Sequence, residues 1–160
     1  MNGKIVAGSI VITALAAGIA IYWLQEYAFY DKAVFSPGAE IVLTPIQGGP
    51  PEAIVTENLQ GIDAESSPIR FRACFTTPLS LGMLTETYAV YPDAEPLVAP
   101  TWFDCFDATA IGEALETGEA VAFLSQAEVR PGIDRVVAVF PDGKAYAWTQ
   151  VRKEAEAQSP

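Results

Sequence analysis

The sequence predicts an α+β protein: one N-terminal transmembrane helix, then a small domain with a mainly antiparallel sheet and one or two short helices. Three observations carry this prediction. No charged residue occurs from Ile5 to Gln25. Beyond that run, strand-like and helix-like patterns do not alternate regularly, which argues against a parallel βαβ sheet. The last two strand-like runs, Asp134 to Phe140 and Ala145 to Val151, flank Pro141-Asp142-Gly143-Lys144, which has the chemistry of a hairpin turn.

Ile5 to Leu24 would span about 30 Å as a helix, the thickness of a bilayer core. Tyr22, Trp23, Tyr27, Phe29 and Tyr30 follow at its C-terminal end, amphipathic rings suited to the headgroup level. Lys4 and the terminal amine lie on one side, and Lys32 is offset by Glu26 and Asp31 on the other, so the charge bias favours a cytoplasmic N-terminus. The expected organisation is a cytoplasmic N-terminus (1–4), a transmembrane helix (5–25), an interfacial segment and linker (26–39), a periplasmic α+β domain (40–151) and a polar tail (152–160) expected to fray. A cleaved signal peptide is the competing reading, with small residues at Gly18-Ile19-Ala20. It is disfavoured because Ile21 to Leu24 continues the apolar run past the cut and the basic region holds a single Lys.

Ser9, Thr13, Ala16, Ala17 and Ala20 fall on one face of this helix. A face of small residues lets a second helix approach closely, and packing must drive such pairing because lipid offers no hydrophobic gain. The alternative is that Ala and Gly are simply frequent in membrane helices.

In the domain, Glu40 to Ile46 reads as a strand, Gln47 to Pro51 as a turn and Ala53 to Val55 as its return. Ile69 to Phe75 alternates, with Ile69, Phe71, Ala73 and Phe75 on one face and Arg70, Arg72 and Cys74 on the other. Leu79, Met83 and Leu84 suggest a short helix with Pro78 in its first turn. Three prolines make Tyr91 to Pro100 an extended loop. Asp107 is a good N-cap for a helix over 108–117, striped by Ile111, Ala114 and Leu115 and closed by Gly118. Ala120 to Leu124 reads as a buried strand.

Nine Lys plus Arg against twenty Asp plus Glu give a net charge of -11, which disfavours nucleic acid as a partner. Hydrophobic residues at 51% and charged residues at 18% exclude global disorder. There is no histidine, so the Ser-His-Asp triad, His-ligated zinc or haem, and a phosphoacceptor histidine are all excluded. No glycine-rich phosphate loop, G-x-S-x-G elbow or calcium-loop motif occurs. No cofactor, metal ligand set or catalytic residue is therefore expected. Asp104 and Asp107 invite a paired-carboxylate reading, but a helix cap and the solvent side of a strand account for them more simply.

Cys74 and Cys105 are even in number and fall in the domain placed outside the cytoplasm, so a structural disulfide is the leading reading. Two buried free thiols are the alternative. Arg70 and Arg72 share a strand face and are read chiefly as a solvated, salt-bridged surface, with an anion or partner contact as the other option.

The opening Met-Asn-Gly-Lys, Tyr22 to Tyr30, Ser67 to Phe75, Met83 to Tyr88, Trp102 to Asp107 and Gly132 to Val139 resemble an uncharacterised family of alphaproteobacterial single-pass proteins, over nearly the whole chain. Its members have sometimes been labelled histidine kinases, which the absence of histidine contradicts. The resemblance implies a bacterial inner-membrane location and brings no activity. The expected function is a non-catalytic accessory subunit or assembly factor, docked through its helix on an integral membrane complex within the lipid bilayer. A periplasmic ligand-binding or sensing module is the second expectation, with a pocket built from Trp102, Phe103, Trp148 and an arginine of the 70/72 pair. A hydrolase using Asp104 and Asp107 is a distant third.

Overall fold

The computed structural model describes residues 2–38 and 40–156. Its elements in chain order are α1 (Gly3–Glu26), β1 (Asp31–Lys32), β2 (Val42–Leu43), β3 (Glu52–Ala53), β4 (Glu57–Asp63), β5 (Arg72–Thr76), α2 (Leu81–Thr87), α3 (Ala108–Thr117), β6 (Val121–Arg130), β7 (Ile133–Val139), β8 (Lys144–Val151) and α4 (Lys153–Glu156). Six strands form one sheet in the order β1-β4-β5-β8-β7-β6, every pair antiparallel, and β2 with β3 forms a separate hairpin. The architecture is α+β, as the sequence predicts.

Both faces of the sheet are buried. Along β7, Val137 and Val139 face one core while Val136 and Ala138 face the other, as the two-residue period of a strand requires. The first core is closed by Ile41, Leu43 and Ile54 of the small hairpin and by Leu84 and Tyr88 at α2. The second is closed by Ile111 of α3 and by Phe103 and Phe106 from the loop before it, with Trp148 of β8 fully enclosed beneath them.

Local chemistry explains the elements that were legible. Asp107 accepts the Ala110 amide at 3.0 Å, and Gly118 takes the left-handed conformation at φ 76° to end α3. In the β7–β8 turn, Asp142 accepts the Lys144 amide at 3.0 Å and Gly143 sits at φ 88°. A Cβ there would lie 2.7 Å from the Thr77 carbonyl oxygen, so this turn needs glycine twice over.

Several boundaries differ from expectation. The predicted strand 40–46 contracts to a two-residue pair with β3. The alternating run 69–75 is a strand only from Arg72, and Ile69 and Arg70 lie in the turn that feeds it. α2 starts at Leu81 under a Ser80 cap, which leaves Pro78 outside the helix. Asp104 lies in a turn rather than on a strand. β4 carries no alternating signal, because Leu59 packs toward one core and Ile62 toward the other, and a register shift between Glu57 and Gln60 breaks its period. Segment 26–39, expected as a linker, supplies β1, the edge strand of the main sheet. The tail enters the fold through Arg152 and α4, and residues 157–160 of it lie outside the described residues.

Candidate functional site

α1 is long and apolar enough to cross a membrane, and none of its residues is buried against the rest of the chain. Ser9, Thr13, Ala16, Ala17 and Ala20 are all exposed, so the small-residue face is left uncovered. Ser9 returns its hydroxyl to the Val6 carbonyl at 2.8 Å, the local bond by which a helical serine satisfies its hydroxyl.

The end of α1 is clasped to the domain. The Glu26 carboxylate accepts both the Thr101 amide at 2.9 Å and the Thr101 hydroxyl at 3.0 Å, and the Trp102 indole donates to the Glu26 carbonyl. Tyr27 stacks on Trp102 with ring centres 6.5 Å apart, and Tyr30 meets the same indole edge-on at 6.1 Å. The Arg70 guanidinium lies 5.6 Å from the Phe29 ring centre and 5.4 Å from that of Tyr30. Of the aromatic residues read from the sequence as interface anchors, Tyr27, Phe29 and Tyr30 pack the helix end against Trp102 and Arg70.

Behind the clasp, loop 91–106 is tied to the sheet by polar contacts that leave little unpaired. Arg72 is buried and, among the described residues, within ion-pair distance of no acid, which corrects the expectation of a solvated, salt-bridged face. Its guanidinium donates instead to four backbone carbonyls, Leu97 at 2.9 Å, Ile69 at 2.8 Å, Phe71 at 2.7 Å and Val98 at 3.1 Å. Burial pushes its pKa down to about 10, and the proton stays on at neutral pH. Gln150 accepts from the Trp148 indole at 2.9 Å and from the Glu95 amide at 2.8 Å, and donates to the Asp93 carbonyl at 2.9 Å. Cys74 and Cys105 form a disulfide that pins the end of this loop to β5, with Cα atoms 6.3 Å apart.

A third fixture is Asp134, 2% exposed on β7. It accepts from Arg152 at 2.7 and 3.0 Å, from the Glu128 amide at 2.9 Å and from the Tyr91 hydroxyl at 3.1 Å. Burial opposes its ionisation, yet these donors together hold the carboxyl below the usual carboxylate range. Burial and the neighbouring Asp134 raise the Tyr91 hydroxyl to about 12, which keeps it a donor.

The remaining candidates disperse. Asp107 caps α3, while Asp104 is exposed in a turn and lines none of the three cavities described. Trp148 is enclosed, Phe103 is buried and Trp102 belongs to the clasp, so the pocket expected from these aromatics is not formed. Instead, a groove of about 530 Å³ runs between residues 90–96 and α3, and a cavity of about 410 Å³ lies on the opposite face beside Phe71 and Arg135. Asp134 and Arg135 are the residues sequence reasoning missed. The signal was a charged pair, Asp134-Arg135, at the head of an otherwise apolar strand.

The model of a family of unknown function (DUF6446) matches residues 41–158, the domain without the apolar helix. No curated protein and no solved structure matches the chain.

Proposed function

The chain belongs to this family of unknown function, and from that premise we propose that it is a non-catalytic, single-pass accessory subunit or assembly factor of a larger inner-membrane complex. α1 is its anchor, the N-terminus is cytoplasmic, and the acidic domain rests on the periplasmic side of that complex. The clasp carries this reading. Glu26, Tyr27 and Tyr30 fix the helix end against Thr101 and Trp102, so the domain is presented at the membrane in one orientation rather than trailing on a tether. The uncovered face of small residues supplies a surface for a second helix. The Cys74–Cys105 disulfide fits an oxidising compartment. A sequence without histidine, whose two candidate acids are split between a helix cap and an exposed turn, supports a role without chemistry of its own.

Mild-detergent extraction of tagged full-length protein from its native membrane, native sizing and mass spectrometry test the proposal. A stoichiometric membrane partner is expected, and Ala16→Leu with Ala17→Leu should release it. Recovery of a lone monomer or homodimer contradicts the proposal, and retention of the partner by the double variant removes helix docking from it.

A further inference from the structure

Among the described residues two guanidinium nitrogens are buried without a hydrogen-bond partner, Arg70 Nη1 beside the rings of Phe29 and Tyr30 and Arg135 Nε, and Arg135 is the one that lines a cavity. It pairs with Thr149 across β7 and β8 and lies 4.0 Å from the Phe71 ring centre. Its Nε is buried without a hydrogen-bond partner. Among the described residues no carboxylate comes within ion-pair distance of it. A buried guanidinium nitrogen needs a partner, and the fully buried Arg72 has them, reaching four carbonyls, whereas half-buried Arg135 leaves its Nε without one. Burial lowers the Arg135 pKa, with Asp63 acting in the opposite direction from a distance.

Arg135 stands in the wall of the 410 Å³ cavity, together with Phe71 and Thr149. The charged residues around it are Lys32, Arg130 and Arg135 against Asp31, Asp63 and Glu65, an even balance in a chain whose net charge is -11. That balance tolerates one added negative charge, whereas the three acids would repel a dianion. The aromatic ring beside the guanidinium offers an apolar surface for the rest of a small molecule.

We propose that this cavity binds a singly charged oxyanion through the Arg135 fork, carried on a ligand whose apolar part packs beside Phe71. Two terminal N–H groups of one guanidinium match the two oxygens of a carboxylate or phosphodiester. Such an oxyanion comes either from a free small carboxylate or from a lipid headgroup, since residues 31–34 of the wall follow closely on the anchor. The site exists whether or not α1 docks on a partner helix, so its failure and that of the accessory-subunit reading separate cleanly.

Full-length protein in lipid-free detergent micelles is titrated with benzoate, and a second sample in phosphatidylglycerol nanodiscs is compared with the micelle sample; both are followed by thermal unfolding. A midpoint rise of about 5 °C is expected once the ligand reaches roughly ten times its Kd. Arg135→Met should abolish the rise, and Arg135→Lys, which keeps the charge but loses the fork, should weaken binding on the order of tenfold. An Arg135-dependent rise with benzoate identifies a free carboxylate site, and one seen only in nanodiscs identifies a lipid headgroup site. A rise that Arg135→Met leaves intact, or no rise with either probe, overturns the proposal. Should Arg135→Met fail to fold, Arg130→Ala at the rim must weaken binding several-fold, and unchanged affinity there overturns it equally.

Discussion

On the face of the sheet covered by loop 91–106, Arg72 gives its guanidinium to four carbonyls. On the opposite face, two strands away, Arg135 lies over Phe71 with a buried Nε that nothing meets. Most of the loop face is finished in the same manner, the exception being Arg70 Nη1, buried without a partner beside Phe29 and Tyr30. Asp134 has four donor contacts, Gln150 uses both ends of its amide, and the disulfide closes the segment. The other face holds a cavity and an unspent charge. The two faces therefore differ in what Arg72 and Arg135 do with their donors rather than in whether they are grooved, since the 530 Å³ groove lies on the loop side.

The largest blow to this contrast should come from Arg72→Met. Four carbonyls would lose their donor, and unfolding stability should fall on the order of 3 to 5 kcal/mol, read as a lower urea midpoint. Replacing both Cys74 and Cys105 with Ser should cost about 3 to 4 kcal/mol in the chain-entropy model, and the same loss should follow reduction of the wild type. Asp134→Asn should cost on the order of 2 kcal/mol at neutral pH. Because its partners depress the Asp134 pKa in the folded state, the carboxylate stabilises above the ordinary Asp range and that contribution is lost as pH falls through the folded value. The gap between wild type and Asp134→Asn should thus close below about pH 4, and a gap constant from pH 7 to pH 3 would contradict the assignment. Trp102→Ala is the mildest, about 1 kcal/mol, and acts on the clasp. Its readout is tryptic cleavage after the exposed Lys32 in reconstituted vesicles, which should become several-fold faster.

What could be read from the chain was whatever is decided within a few residues. The Asp107 cap, the Ile111 stripe and Gly118 specify α3 locally, and Pro141 to Lys144 specify the final hairpin in the same way. The apolar helix needed only length and the absence of charge. The rest depended on what lands on top. Arg70 and Arg72 read as a wet strand face because alternation says nothing about a cover, and the cover is Phe29 and Tyr30 for Arg70 and, for Arg72, a proline-rich loop with no period of its own. β1 and β4 were hidden for a related reason: β4 buries a single residue, Ile62, and carries a register shift in its pairing, and a two-residue edge has no alternation to show. The clasp was half visible, since the juxtamembrane aromatics were noticed as lipid anchors and their second partner, Trp102, was read as a pocket wall.

The measurement that bears most directly on the contrast is a matched pair of urea unfolding curves for Arg72→Met and Arg135→Met in buffer free of carboxylates and phosphates. The Met side chain keeps the apolar stem and its contact with Phe71, so losing a guanidinium without partners should change stability by less than about 1 kcal/mol, while the Arg72 variant loses several times that. Equal, large losses in both variants would mean that Arg135 is a structural fixture like Arg72, and the contrast between the two arginines would fall.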